Sequence, residues 1–273
     1  MIDSRIAFVL AVVAVLLFVP AAAGADLRMA PLNPDFVAYQ EMPATMTAYA
    51  GEASVTSGLI PSPLDLSHLD DDAGTRATME ASTSSYPATY DLRDQGRVTA
   101  VQDQGTAGSC WTFATLASLE SYLLPGESTD YSENNMKDLC SNLYPQGYDR
   151  AFDAGGDRYM STAYLARWTG PVNEADDPYN PTSGVSPSGL TVQKHVQNVY
   201  FLADRSSFTD NDEIKQFIQE YGALYIGVNW DEELYYNSAT CGYYNPGYAT
   251  SGGHAIALVG WDDTYSASNF NDN

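Results

Sequence analysis

The sequence predicts an α+β protein, helical in its first half and richer in strands in its second. From residue 110 to 124 there is no glycine or proline, and Phe113, Leu116, Leu119 and Leu123 recur at steps of 3, 3 and 4, the spacing of one buried helix face. Ser109 precedes this helix as its N-cap, and Pro125-Gly126 stops it. Ser132, just ahead of Glu133, caps a second, short helix. Beyond residue 195 the period changes. Residues 195–202, with Val196, Val199, Phe201 and Leu202, read as a strand, and 223–228 and 255–259 are apolar strands near glycines. Between them Ile214, Phe217, Ile218 and Tyr221 keep helical steps over 210–221. Tyr235, Tyr236, Tyr243, Tyr244 and Tyr248 then mark an aromatic loop region that serves either as a substrate wall or as a packed surface loop.

Taken from its start, the chain opens on a secretory pattern. Arg5 precedes an apolar run from Ile6 to Val19, and Ala23-Gly24-Ala25 offers a small-residue cleavage site ahead of Asp26. A membrane anchor needs about 20 apolar residues, more than this run supplies. Residues 1–25 are therefore expected to be a signal peptide, and the protein to be secreted or held at the cell surface.

Residues 26–85 are rich in Ala, Pro, Ser and Thr and show no sustained helical period. They read as extended, rigid pieces with a few apolar handles. Two readings stay open, a prosegment lying along a cleft and a plain surface strap. His68, beside Asp70, Asp71 and Asp72, is a solvated side chain. The folded domain is expected to begin near Tyr86. With 273 residues, 44% of them hydrophobic, the chain is long enough for one sizeable domain plus attachments. A net charge of −23 makes nucleic acid an unsuitable partner.

Cys110 stands at the first position of the first helix. A thiol attacks as its thiolate, and the positive end of a helix favours that anion. Gln104, upstream in a glycine-flanked loop, has an amide N–H suited to a developing oxyanion beside the backbone N–H of Cys110. The plain alternative is that Cys110 is a small buried hydrophobe. His254 heads an apolar strand 144 residues later, where a lone histidine is by itself most often structural; His195 reads as a wall residue. Cys140 and Cys241 are expected as free buried thiols, with a disulfide between them as the alternative. Three histidines and three cysteines show no metal-ligand spacing, so no metal or cofactor is expected.

The stretch from Gln104 to Trp111, QGTAGSCW, resembles the active-site segment of papain-like cysteine peptidases. The resemblance continues through Tyr86-Pro87-Ala88-Thr89-Tyr90-Asp91-Leu92-Arg93, the segment running from Tyr131 to Cys140, Asp153-Ala154-Gly155-Gly156, the run from Gly170 to Tyr179, and GGHAIALVGW, which ends at Trp261. It implies a papain-like two-lobe fold, with a helical left lobe, a β-rich right lobe and an active-site cleft between them. It further implies that Cys110 and His254 hydrolyse peptide bonds through an acyl-enzyme, with Gln104 at the oxyanion. Gly108, Trp111, Gly155 and Gly156 would bind a polypeptide substrate, Gly156 by pairing its backbone to an extended peptide. The chain is expected to be a monomer, with residues 26–85 either an intramolecular prosegment or a plain strap, since they lack the long charged helices typical of the family's prosegments.

There are departures from the family. Ala107 and Asp153 stand where its members join two cysteines, so closure between these segments is expected to rest on packing. No Asn-Ser-Trp-Gly follows His254, and the orienting role is transferred to neither Asn269 nor Asn271. The expectation is a C-terminally truncated chain whose domain, 86–273, lacks its final strands. The alternative function is a catalytically impaired surface or peptide-binding module that keeps the cleft.

Overall fold

The structure is a computed structural model that describes residues 31–41, 58–65, 85–202, 205–231, 235–247 and 252–271. The expected signal peptide and His68 lie outside them.

Helix α1 (Pro34–Glu41) corrects the expectation of a helix-free segment between 26 and 85. It is too short to show a period, but its start is written in Asn33-Pro34. The Asn33 side chain accepts the Asp35 N–H at 3.0 Å, and Pro34 at the first helical position gives up an N–H that would have had no partner. The Asn33 N–H reaches the Pro63 carbonyl at 3.0 Å, and Leu32 bridges Leu64. Helix α1 is thereby tied to the end of the extended stretch 58–65.

Helix α2 (Cys110–Leu123) is the centre of the molecule. Its buried residues are Cys110, Trp111, Thr112, Ala114, Leu116, Glu120 and Ser121, which lie around most of its circumference rather than on the single Phe113–Leu116–Leu119–Leu123 face. Neighbours surround it on several sides. Phe113 packs edge-on against Tyr179, Leu119 and Leu123 lie partly buried against the main core, and the Glu120 carboxylate accepts the Tyr131 N–H and the Thr99 hydroxyl, both at 2.8 Å.

Helix α3 (Glu133–Leu139) is capped as expected, the Ser132 hydroxyl accepting the Asn135 N–H at 2.9 Å. It turns charge inward: Lys137 and Asp138 are fully buried and paired at 2.5 Å, with the Lys137 ammonium also on the Ser183 carbonyl. Helix α4 (Arg158–Ala166) is capped by Asp157, whose Oδ1 takes the Tyr159 and Met160 N–H groups at 2.8 and 3.0 Å. The core formed around α2, α3 and α4 includes Trp111, Leu116, Tyr131, Met136, Met160 and Tyr164.

The second half adds helix α5 (Asp212–Tyr221), with Phe217 and Ile218 buried, and three two-stranded antiparallel sheets among the described residues. Strand β1 (Thr89–Asp91) pairs with β6 (Gly260–Asp262), β2 (Leu224–Trp230) with β5 (Gly252–Leu258), and β3 (Tyr236–Asn237) with β4 (Gly242–Tyr243). Leu92, Ile218 and Ala223 form a second core under these elements, flanked by Tyr90, Leu258 and Trp261. The Tyr-rich stretch is thus partly a hairpin. Residues 195–202 form no strand. They have no ladder partner among the described residues and pack through rings instead, His195 stacking on Trp168 at 4.4 Å and Phe201 on Tyr159 at 5.6 Å. No described helix is long and apolar enough to cross a membrane.

Candidate active site

Sheet β2/β5 packs against α2, and this contact builds the site. In its register Val228 lies opposite His254 and Gly227 opposite Ala255. The Ala255 N–H donates to the Cys110 sulfur at 3.3 Å, so the thiol at the head of α2 touches the residue next to His254. The His254 Nδ1 is buried with no hydrogen-bond partner among the described residues. Its ring lies 5.7 Å from that of Trp230.

Ser109 occupies the N-cap position but does not cap with its side chain. Its hydroxyl instead shares a 2.6 Å hydrogen bond with the Tyr179 hydroxyl, which donates in turn to the Gln104 carbonyl at 2.7 Å. Tyr179 thus fastens the loop carrying Gln104 to the head of the helix, a role not read from the sequence. The Gln104 Nε2 donates to the Ala107 carbonyl at 2.9 Å, within that loop.

Cys110 is 1% exposed because residues 58–60 run over it. The Gly156 N–H donates to the Gly58 carbonyl at 2.7 Å, the Ile60 N–H to the Gly156 carbonyl at 3.1 Å, and the Leu59 N–H to the Gly253 carbonyl at 3.1 Å. The strap therefore runs parallel to the Gly156 segment and antiparallel to Gly253, joining the helical and β-rich halves through one extended residue. Its fit is close. A Cβ on Gly58 would lie 2.3 Å from the Gly108 carbonyl carbon, and one on Gly156 would lie 2.4 Å from the Trp111 ring. Trp111 is fully buried and its ring supports Gly156. Gly108, by contrast, lies against the strap, and its N–H donates to the Asp153 carbonyl at 2.9 Å. That backbone bond joins the segments holding Ala107 and Asp153, so their closure does not rest on packing alone.

Burial raises the Cys110 thiol pKa, outweighing the N–H groups of Ala255, Gly58, Trp111 and Cys110 itself, which favour the anion. Burial likewise pushes the His254 imidazole below its ordinary value. Under the strap both groups are held towards their neutral forms, against the expectation of a thiolate set up by the helix end alone. Cys140 and Cys241 are free; Cys140 is buried, but Cys241 is exposed rather than buried. The Asn271 amide donates to the Tyr236 carbonyl at 2.9 Å, and the Asn269 carbonyl accepts from Asn237 at 3.0 Å. Among the described residues no group of three or more His, Cys, Asp or Glu side chains is placed to hold a metal ion.

The profile of the papain family cysteine proteases matches residues 86–270, which covers α2, the Gly155-Gly156 loop and His254. The chain belongs to that family. Cysteine proteinase 1 of Zea mays is 30% identical over 197 residues, covering 69% of this chain and 49% of that protein. Among solved structures, the cysteine protease and lectin-like domains of Cwp84, a surface layer associated protein of Clostridium difficile, align with a TM-score of 0.65 at 26% identity, over 89% of this chain and 50% of that one. Clostridial Cwp84 after propeptide cleavage aligns at 0.58 and 28% identity, over 67% and 46%. These likenesses show the papain-like α+β fold. The chain spans about half the length of the curated relatives it matches.

Proposed function

We propose that this chain is the strapped, latent form of an exported cysteine endopeptidase whose reacting pair is Cys110 and His254. The observation that carries the reading is the seating of 58–60 between Gly156 and Gly253, directly over the Cys110 sulfur. Backbone groups that pair with one extended peptide are suited to pairing with another, and this favours a prosegment over a plain surface strap.

The polarity of the strap explains how it blocks without being cut. Gly58 directs its N–H at the sulfur and gives its carbonyl to Gly156. The thiol therefore faces a donor and not an electrophilic carbon. A hydrolysable peptide must run the other way and bring a carbonyl to Cys110. The thiolate then adds to that carbon, with Gln104 and the Cys110 N–H holding the oxyanion. His254 protonates the departing amine as the C–N bond breaks, leaving a thioester; it next takes a proton from water, whose oxygen displaces the sulfur. Displacing the strap rehydrates both groups, which restores the thiolate and imidazolium that burial suppresses. Export is supported by the sequence pattern of residues 1–25 and by a relative described as surface-layer associated.

The test is thiol alkylation at mildly acidic pH, comparing the intact chain with Gly58→Leu, which the Gly108 backbone does not admit. The intact chain should label slowly and Gly58→Leu faster than a free thiol, with labelling abolished by Cys110→Ala and slowed at least tenfold by His254→Ala. Labelling of Gly58→Leu no faster than a free thiol would instead mark a peptide-binding module without a reactive pair.

A further inference from the structure

We propose that Trp230 is a positioning residue for His254, its indole covering the imidazole and fixing the ring's orientation; this rests on the reading of Cys110 and His254 as the reacting pair. Side chains alternate along β2 and β5, so Val228 and Trp230 share a face with Gly252 and His254. The residue directly opposite Trp230 is Gly252, which offers no side chain to lean on. The indole is left to meet its diagonal neighbour, His254, at 5.7 Å and a 47° tilt, within the reach expected of an aromatic pair at that offset.

Two rings of the β3–β4 hairpin also pack on the indole. Tyr243 stacks on it at 4.4 Å and 19°, and Tyr236 lies 5.9 Å away. Tyr243 is itself pinned by its hydroxyl, which donates to the Asn229 carbonyl at 2.5 Å and accepts the Asp231 N–H at 3.0 Å. The β3–β4 hairpin therefore holds Trp230, and Trp230 bears on His254. Both Trp230 Nε1 and His254 Nδ1 are buried without a hydrogen-bond partner among the described residues, so at that nitrogen it is packing that sets the ring. The Tyr236 and Tyr243 phenols pack on the indole rather than on the imidazole, and the Cys110 thiol meets the N–H of Ala255, the residue after His254. Burial alone accounts for the lowered basicity of the imidazole.

The experiment follows the His254 ring proton by NMR across pH in the full chain, in Trp230→Ala and in Trp230→Phe, assigning the signal by its loss in His254→Gln. Trp230→Ala should move the midpoint up towards the ordinary value of about 6.5, while Trp230→Phe, which keeps a ring face, should titrate within about 0.2 of the parent. Should Trp230→Ala fail to fold, Trp230→Leu replaces it with the same expected upward shift. A folded Ala or Leu variant that titrates as the parent does overturns the proposal, and so does a Phe variant that shifts as far as Ala. The measurement needs no catalysis. A chain whose thiol is unreactive but whose His254 still answers to Trp230 would refute the reacting pair and leave the positioning role standing.

Discussion

Gly58 within the strap and Gly156 beside it are the two residues on which the covered thiol depends. A methyl group on Gly156 meets the Trp111 ring at 2.4 Å, and overpacking of this kind costs about 1 to 3 kcal/mol. Gly156→Ala should therefore lower the thermal midpoint and, by shifting the backbone that holds Gly58 and Ile60, speed alkylation of Cys110. Part of this site is legible as residues. Cys110 and His254 carry their chemistry in their side chains, and their spacing and neighbours point to them. The strap is not legible in the same way, because Gly58, Leu59 and Ile60 engage Gly156 and Gly253 through backbone groups that every residue possesses. Tyr179 was missed for a related reason, since nothing in its neighbourhood in the sequence says that its hydroxyl will find Ser109 and Gln104.

At the scale of elements, α1 and the strap act as one piece because Asn33 and Leu32 are bonded to Pro63 and Leu64. Removing the Asn33 side chain should cost about 1 kcal/mol through the lost cap and loosen α1, read as faster amide exchange between residues 35 and 41. Leu59 is the strap's apolar anchor, packed against the main core. Leu59→Ala gives up about 1.5 kcal/mol of burial, so alkylation of Cys110 in the intact chain should quicken roughly tenfold, with no effect on the rate in Gly58→Leu. Helices α2, α3 and α5 could be read from capping and period. The eight residues of α1 escape because two turns establish no period, although Asn33-Pro34 signals their start. Residues 195–202 show the converse error: apolar and aromatic content predicts a strand, but a strand requires a neighbour, and here the rings stack on Trp168 and Tyr159 instead.

For the molecule as a whole, the buried acids set the response to pH. Burial raises Glu120 to about 7 and Glu133 to about 9, and Glu174 is raised as well. Glu133 Oε2 and Glu174 Oε2 are buried without a hydrogen-bond partner among the described residues. The folded state thus keeps protons that an unfolded chain releases near 4.5. The stability that Glu120 and Glu133 allow is fully present below that value and is lost as pH rises through their folded-state values of about 7 and about 9. Thermal midpoints should fall from pH 4.5 towards 9, and Glu133→Gln should flatten the decline. A midpoint that rises over this range would contradict the buried, neutral state of Glu133. The excess of acidic residues was visible from composition, but which carboxyls are withdrawn from water was not, since Glu120 and Glu133 look like surface residues of helices.

The Ala255 N–H that meets the Cys110 sulfur comes from 145 positions further along the chain, and Thr89 finds its strand partner only at Asp262. During synthesis the cysteine helix can coil as soon as it leaves the ribosome, but the walls that enclose its sulfur do not yet exist. Closing such distant pairs is slow, so the nascent polypeptide carries an unshielded thiol until residues 252–262 have been made and paired. The strap is made long before the groove it fills and is already present when that groove closes.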